Sequence, residues 1–141
     1  MVRRAALLIA GAVLAGTVTP ASASVFIAVR SPSGNVGCIY SSGLGPAGVR
    51  CDIRIQQAHP KAGRPKGCLL DWGDSYQLAR SGRAHGVCHG DTALDPKAKV
   101  IAYGTSFARG GIVCRSTRVN FSCRNRSGHG FLLSRERQRT F

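Results

Sequence analysis

Residues 49–55 read Val49-Arg50-Cys51-Asp52-Ile53-Arg54-Ile55, with an apolar side chain at every second position and a charged one between each pair. This period of two is typical of a strand with one buried side and one solvent-facing side. Residues 36–40 and 119–124 alternate in the same way. We therefore expect a half-buried strand at 49–55 with a charged outer face, and further strands on either side of it.

Glycine and proline are spread along the whole chain, a distribution typical of many short strands joined by turns. Helical periodicity is nearly absent, and the only candidate helical segments are a short one at Asp95–Ala102 and a weak turn at Ser134–Arg139. The predicted fold class is all-β, or β-dominated α+β. The predicted architecture is a small antiparallel sheet or barrel-like domain.

Six cysteines suggest a disulfide framework. Val36-Gly37-Cys38 with Val49-Arg50-Cys51 is echoed later in the chain by Ile112-Val113-Cys114 with Phe121-Ser122-Cys123. Directly opposed residues on antiparallel strands lie at a Cα separation that a disulfide accepts. This predicts Cys38–Cys51 and Cys114–Cys123 and leaves Cys68–Cys88, although six cysteines allow fifteen pairings.

Residues 1–23 have the pattern of a cleavable signal peptide. A basic start at Arg3-Arg4 precedes an apolar run, and Ala21-Ser22-Ala23 forms a small-x-small cleavage site. We expect cleavage after Ala23, a secreted product, and a single disulfide-rich domain at residues 24–141. No later stretch is apolar enough to span a bilayer, and we expect a monomer.

The chain is strongly basic, with 20 Lys and Arg against 6 Asp and Glu and a net charge of +14. Residues 109–141 contain eight arginines and one acidic residue, Glu136. Guanidinium groups match phosphate and carboxylate geometry. This favours weak contacts with anionic cell-wall or extracellular polymers, and a solvated surface is the alternative. The candidate anion-binding residues are Arg115, Arg118, Arg124, Arg126, Arg135 and Arg137. Specific nucleic-acid recognition is not expected, because no module signature or interleaved aromatic pattern is present.

Several motifs together resemble a family of small exported bacterial proteins, common in high-GC Gram-positive bacteria and classed as a domain of unknown function. The resemblance covers residues 26–141 and implies a six-cysteine, secreted, β-rich domain, but no catalytic or binding residues. One departure is the turn at 116–120, which lacks the expected glycine, although Asn120 tolerates a left-handed conformation. The matching motifs are Ser31-Pro32-Ser33-Gly34-Asn35-Val36-Gly37-Cys38, Val49-Arg50-Cys51-Asp52-Ile53, Cys68, Asp71-Trp72-Gly73, Cys88-His89-Gly90-Asp91-Thr92, Tyr103-Gly104, Cys114-Arg115-Ser116, Cys123-Arg124-Asn125, Gly128-His129-Gly130-Phe131 and Ser134-Arg135.

Metal and cofactor sites are not predicted. His85 and His89 have a spacing that would converge on a helix, but the segment around them is too rich in glycine to form one. Cysteines in disulfides are not available as zinc ligands. Asp71, Asp74 and Asp91 show no spaced calcium-binding loop.

A secreted hydrolase is the main alternative to a binding protein. His89 and His129 each lie in a glycine-flanked turn, and Asp91 follows His89 closely. Such a nuclease-like enzyme would use His89 or His129 as a general acid and base, with Arg124 or Arg135 stabilising the developing charge. The simpler interpretation is that both histidines only form turn hydrogen bonds.

Two further features leave alternatives open. The lone tryptophan, Trp72, is expected to be a core or half-buried residue rather than a carbohydrate-stacking one. The segment Gln56–Gly67 is the candidate binding loop of a secreted inhibitor or effector scaffold, with His59 and Lys61 near its centre. The function that we favour is a non-enzymatic envelope or extracellular binding protein.

Overall fold

The computed structural model describes residues 23–57 and 63–141 and contains no helix among them. The predicted signal peptide therefore lies outside the described residues, except for Ala23. The first six strands are β1 (Val25–Arg30), β2 (Val36–Ser42), β3 (Gly48–Ile53), β4 (Ser75–Ala79), β5 (His85–Gly86) and β6 (Lys99–Val100). The remaining five are β7 (Ser106–Arg109), β8 (Ile112–Ser116), β9 (Phe121–Asn125), β10 (Gly130–Leu133) and β11 (Gln138–Thr140).

The strands form two sheets. The first sheet has the order β5-β4-β3-β2-β1-β6, and the second has the order β11-β10-β9-β8-β7. Every hydrogen-bonded pair joins strands that follow each other in the chain, except β1 and β6, which are also the one parallel pair in the described residues. Short turns therefore connect most neighbouring strands of two antiparallel meanders, whereas β3 and β4 are separated by residues 54–74. The all-β prediction is confirmed.

One core lies between the two sheets. This core contains Val29, Ile53 and Leu78 from the first sheet, and Phe121 and Leu133 from the second. All five side chains are buried, and burying one such side chain contributes about 1.5–3 kcal/mol. The inner faces of the two meanders therefore hold each other together.

The three predicted disulfides are confirmed as Cys38–Cys51, Cys68–Cys88 and Cys114–Cys123. The first joins directly opposed residues of β2 and β3, and the third does the same in β8 and β9. The repeated sequence pattern thus corresponds to one cross-strand bridge in each sheet.

The predicted charged outer face of β3 is wrong in one respect. Val49, Cys51 and Ile53 point into the core as expected, but Asp52 is only 1% exposed. Residues 88–95 cross the outer side of the first sheet and cover it. A Cβ added at Gly37 would lie 2.6 Å from the carbonyl oxygen of Ala93, so this close approach depends on glycine. Strand β3 also ends at Ile53, before Ile55.

Neither candidate helical segment forms a helix. Near Asp95 there is a single turn, closed by a hydrogen bond from the backbone N–H of Ala98 to the carbonyl of Asp95, and the chain then enters β6. At the C-terminal end, Ser134 and Arg137 form a hairpin turn in which Ser134 Oγ accepts from the Arg137 N–H. Pairing with β1 and with β10 extends the backbone at both places.

The turn that lacks glycine is closed by a threonine side chain. Thr117 Oγ1 accepts hydrogen bonds from the backbone N–H groups of Val119 and Asn120 and donates one to the Asn120 carbonyl. No non-glycine residue in the described part of the chain has a positive φ. The expected left-handed Asn120 is therefore not required, because the hydroxyl supplies the turn's hydrogen bonds.

Candidate functional site

The outer side of the second sheet is open to solvent. Two rows of outward-facing residues cross it, perpendicular to the strands. From β7 to β11 the first row is Ser106, Arg115, Ser122, Leu132 and Arg139. The second row is Ala108, Val113, Arg124, Gly130 and Phe141, since the backbone of Phe141 pairs with Gly130.

We call the surface formed by Arg115, Arg124 and Arg139 the basic face. All three arginines are exposed. Because Arg115 pairs with Ser122, it is a diagonal neighbour of Arg124 at a side-chain separation of about 7 Å. Arg139 lies across the sheet on β11, and its guanidinium carbon is 5.4 Å from the centre of the Phe141 ring.

No ion pair within the described residues involves an arginine of the basic face. The three ion pairs found there are Arg50–Asp52, Arg50–Asp91 and His89–Asp74, all on the first-sheet side. The two rows that form the outer side of the second sheet also contain no acidic residue. The positive charge of this face is therefore not neutralised within the described part of the chain.

The six predicted anion-binding arginines are divided among three places. Arg115 and Arg124 belong to the basic face. Three others lie in turns at one end of the sheets: Arg118, Arg135 and Arg137. Arg126 lies at the opposite end, where its side chain passes over Gly111. Arg139 was not among the six predicted residues, although its position two residues before the aromatic Phe141 was a usable signal.

A cleft of about 550 Å³ opens at the end of the sheets where Arg118 and Arg135 lie. We call it the end cleft. Strands β8 and β10 run in the same direction, so the turns that follow them emerge together, beside the turn between β1 and β2. The lining residues are Ser31, Ser33, Asn35, Val36, Tyr103, Thr117, Arg118, Val119, Asn120, Phe121, Leu133, Ser134, Arg135 and Glu136. No sequence pattern indicated that Tyr103, Asn120 and Glu136 would lie at the same cleft.

His89 is buried and held by both ring nitrogens. Nδ1 lies 2.6 Å from the carbonyl oxygen of Asp91, and Nε2 lies 2.8 Å from Asp74 Oδ1. Carbonyl oxygen and carboxylate both accept hydrogen bonds, so this arrangement favours the protonated ring, which donates from both nitrogens. Burial alone would lower the pKa of His89, but the bonds to Asp74 and to the Asp91 carbonyl raise it above the ordinary value.

Asp52 is the centre of the network beneath residues 88–95. Its carboxylate accepts bonds from Arg50, from the hydroxyls of Ser75 and Thr92, and from the backbone N–H of Ala93. Arg50 also donates to Asp91 at 2.6 Å, and this hydrogen bond lowers the pKa of the Asp91 carboxyl. The network attaches the covering segment to β3.

The structure does not bring the candidate catalytic histidines together. His89 bonds to Asp74, just before β4 begins. His129 belongs to the turn organised by Asn125, whose side chain donates to Ala79 and Gly82 at the other end of β4. A five-residue strand is about 16 Å long. Asp91 lies beside His89, but it binds Arg50 through its carboxylate.

Among the described residues, one group of three potential metal-ligating side chains lies close together: Cys38, Cys51 and Cys123. All three sulfurs are in disulfides, so none is available as a thiolate ligand. These cysteines act as cross-links.

Two other sequence features can be placed in part. Trp72 is half-buried, and its indole packs on Gly86, where a Cβ would lie 2.8 Å from the ring. In the segment Gln56–Gly67, residues 58–62, which include His59 and Lys61, lie outside the described part of the chain. Beyond them, Arg64 donates to the carbonyl of Leu70 at 2.7 Å and orders the approach to Cys68.

The described residues contain no helix that is long and apolar enough to cross a membrane. A family model described as a family of unknown function (DUF6636) matches residues 6–141. No curated protein and no solved structure matches the chain.

Proposed function

Because the chain belongs to the DUF6636 family, to which no activity is assigned, we propose its function from its own surface. The protein is a secreted, non-enzymatic binding protein, and its basic face contacts anionic polymers of the cell envelope or the extracellular space. The observation that carries this proposal is the open outer side of the second sheet, with three arginines and no acidic residue.

The two sheets differ in a way that supports binding on the second. On the first sheet, Arg50 is bonded to Asp52 and Asp91 beneath and beside the covering segment. On the second sheet, the described residues provide neither a carboxylate partner for Arg115, Arg124 and Arg139 nor a covering segment. An extended polyanion supplies the missing negative charge, and planar guanidinium groups bind phosphate or carboxylate through paired hydrogen bonds.

Secretion accords with the disulfides and the sequence of the first 23 residues. Three disulfides indicate an oxidising, extracellular type of environment. Removal of 23 of the 141 residues leaves 118, and loss of two arginines lowers the net charge from +14 to +12. This charge favours association with polyanions.

The non-enzymatic character is supported by the state of the histidines. A histidine acts as a general acid or base through a ring nitrogen that a substrate can reach. Both ring nitrogens of His89 are already hydrogen-bonded, to Asp74 and to the Asp91 carbonyl, and the turn of His129 is attached to the far end of β4.

The test compares two triple variants of the secreted chain that remove equal charge. One replaces the basic face, as Arg115→Gln, Arg124→Gln and Arg139→Gln. The other replaces three arginines on the first-sheet side, as Arg54→Gln, Arg80→Gln and Arg83→Gln. Binding to immobilised polyphosphate and to poly-glutamate is measured at about 50 and about 200 mM salt, and neutral dextran is the blank.

We expect the basic-face variant to bind at least about tenfold more weakly than the control variant, since a hydrogen bond to a charged group contributes about 1.5 kcal/mol or more. Binding of the unmodified protein should weaken at the higher salt concentration because the contacts are exposed. Equal losses in the two variants would assign binding to net charge alone, and salt-independent binding would contradict an electrostatic contact.

A further inference from the structure

The end cleft is a second candidate binding site, separate from the basic face. At about 550 Å³ it has the size of a small-molecule site rather than that of a single ion. Its deepest lining residues, Val36, Phe121 and Leu133, are buried and belong to the core. Its walls are three turns from both sheets.

The serine and threonine hydroxyl groups of the cleft walls are already used within the turns. Thr117 Oγ1 bonds to the backbone of its own turn. Ser134 Oγ accepts from the Arg137 N–H, and Ser33 Oγ bonds to Ser31 and accepts from the Asn35 N–H. Both side-chain atoms of the Asn35 amide are bonded to the backbone of Ile55. These groups therefore shape the cleft and leave little for a ligand.

Four planar polar groups remain unbonded to protein within the described residues. They are the amide of Asn120, the guanidinium groups of Arg118 and Arg135, and the carboxylate of Glu136, the single glutamate of the chain. Each presents two donors or two acceptors, or one of each, side by side. Such groups fit a carboxylate, or a pair of neighbouring hydroxyls, through two parallel hydrogen bonds.

The turns that carry these groups are held in place by backbone contacts and by one ring contact. The backbone N–H of Gln57 donates to the Arg135 carbonyl at 2.7 Å, which ties the β10–β11 turn to the chain after β3. The guanidinium of Arg118 lies 5.3 Å from the centre of the Tyr103 ring. The Asn120 backbone makes three bonds with Thr117. A ligand would meet turns whose backbones are already fixed, which lowers the cost of ordering them on binding.

The charges and the apolar surface define the ligand. Two arginines and one glutamate give the cleft a net charge of +1, which suits one acidic group together with uncharged hydroxyls. Val119 is exposed, and the Tyr103 ring is 38% exposed at the rim. A sugar ring combines hydroxyl edges with an apolar face that packs against such surfaces.

We propose that the end cleft binds an acidic sugar unit, a uronic acid whose carboxylate pairs with Arg118 and Arg135 and whose neighbouring hydroxyls bond to Glu136 and Asn120. This site does not depend on the basic face. The basic face recognises charge along a polymer, whereas the end cleft recognises one residue with a carboxylate and hydroxyls in fixed relation.

The experiment uses the secreted chain and three probes: digalacturonic acid, the corresponding neutral galactose disaccharide, and inorganic phosphate. Affinity is measured by titration calorimetry, and the binding position by the side-chain and backbone amide signals of Asn120 in ¹⁵N NMR spectra. Arg135→Gln and Glu136→Gln test the cleft. Arg137→Gln is the matched control, because Arg137 lies in the same turn but does not line the cleft.

We expect digalacturonic acid to bind and to shift the Asn120 signals, and each cleft variant to weaken binding by about tenfold while Arg137→Gln changes it by less than about twofold. The triple basic-face variant should bind this probe as the unmodified protein does, which separates the two proposals. Equal affinity for the neutral disaccharide, equal affinity for phosphate, no binding of digalacturonic acid, or equal losses in Arg135→Gln and Arg137→Gln would each overturn the proposal.

Discussion

The sulfur of Cys51 lies 3.8 Å from the sulfur of Cys123, so the disulfides of the two sheets touch in the core. Each bridge joins opposed strands within its own sheet. The contact between them links the two sheets where all the sulfurs are fully buried. The two bridges therefore act both as local cross-links and as one packed unit.

Removing the two touching bridges should not be additive. Replacement of either cysteine pair by alanine should lower the free energy of unfolding by about 3 kcal/mol in the chain-entropy model. Loss of both should cost less than the sum by at least about 0.5 kcal/mol, because the sulfur contact is lost only once. Denaturant unfolding of the four proteins measures this coupling. As a control, Cys38–Cys51 and Cys68–Cys88 should combine additively, and a coupling of equal size there would contradict the argument.

Asp52→Asn should destabilise the protein strongly. The amide cannot accept all the hydrogen bonds that now reach the carboxylate, and it leaves Arg50 without its buried partner. Breaking a buried ion pair costs about 3–5 kcal/mol. Asp91→Asn removes the exposed partner of the same arginine and should have a much smaller effect, because solvent screens that pair. Urea unfolding compares them, and equal losses would show that Asp52 is not the centre of the network.

Stability should depend on pH through His89. The folded-state pKa is raised above the unfolded value of about 6.5, so the charged ring contributes fully below that pH. The contribution is lost as the pH rises through the folded pKa. We expect the melting temperature to fall as the pH rises above about 6.5, and this slope to be reduced in His89→Gln. Identical slopes in the two proteins would exclude His89 as the source.

Gly130→Ala should disturb the outer side of the second sheet. A Cβ at Gly130 would clash with the Cys123 carbonyl oxygen and lie 2.9 Å from the Phe141 ring. Overpacking of this kind costs about 1–3 kcal/mol, and it should displace the C-terminal aromatic residue next to Arg139. Gly63→Ala, with open space around the added carbon, is the control. Thermal unfolding and the Phe141 ring signals in NMR spectra would show the difference, and two variants of equal stability would contradict the clash.

The sequence pattern was sufficient for the strands and the bridges because both are local. Alternation around Cys51 and Cys123 places each of these two cysteines opposite a cysteine on the preceding strand of the same hairpin. The covering of β3 by residues 88–95 could not be predicted in this way. Asp52 has the sequence position of a surface residue, and it is buried by contacts with Thr92 and Ala93, which lie about forty residues away in the chain.

The same difference between local and long-range contacts applies to the candidate sites. Arg115 and Arg124 could be placed on an outer face from the alternation of β8 and β9 alone. The end cleft was not foreseen, because Asn120, Glu136 and Tyr103 come from separate turns whose meeting depends on how the two sheets pack. Segments near Asp95 and Ser134 resembled helix starts, but strand pairing decided their conformation.

The consecutive pairing of cysteines has a consequence for how the chain matures. As the polypeptide appears from its N-terminal end, each cysteine that completes a native bridge is the next one to arrive after its partner. Oxidation in order of appearance would therefore give the native pairing. Each bridge can close before the following pair has emerged, which leaves the meeting of the two sheets as the last event.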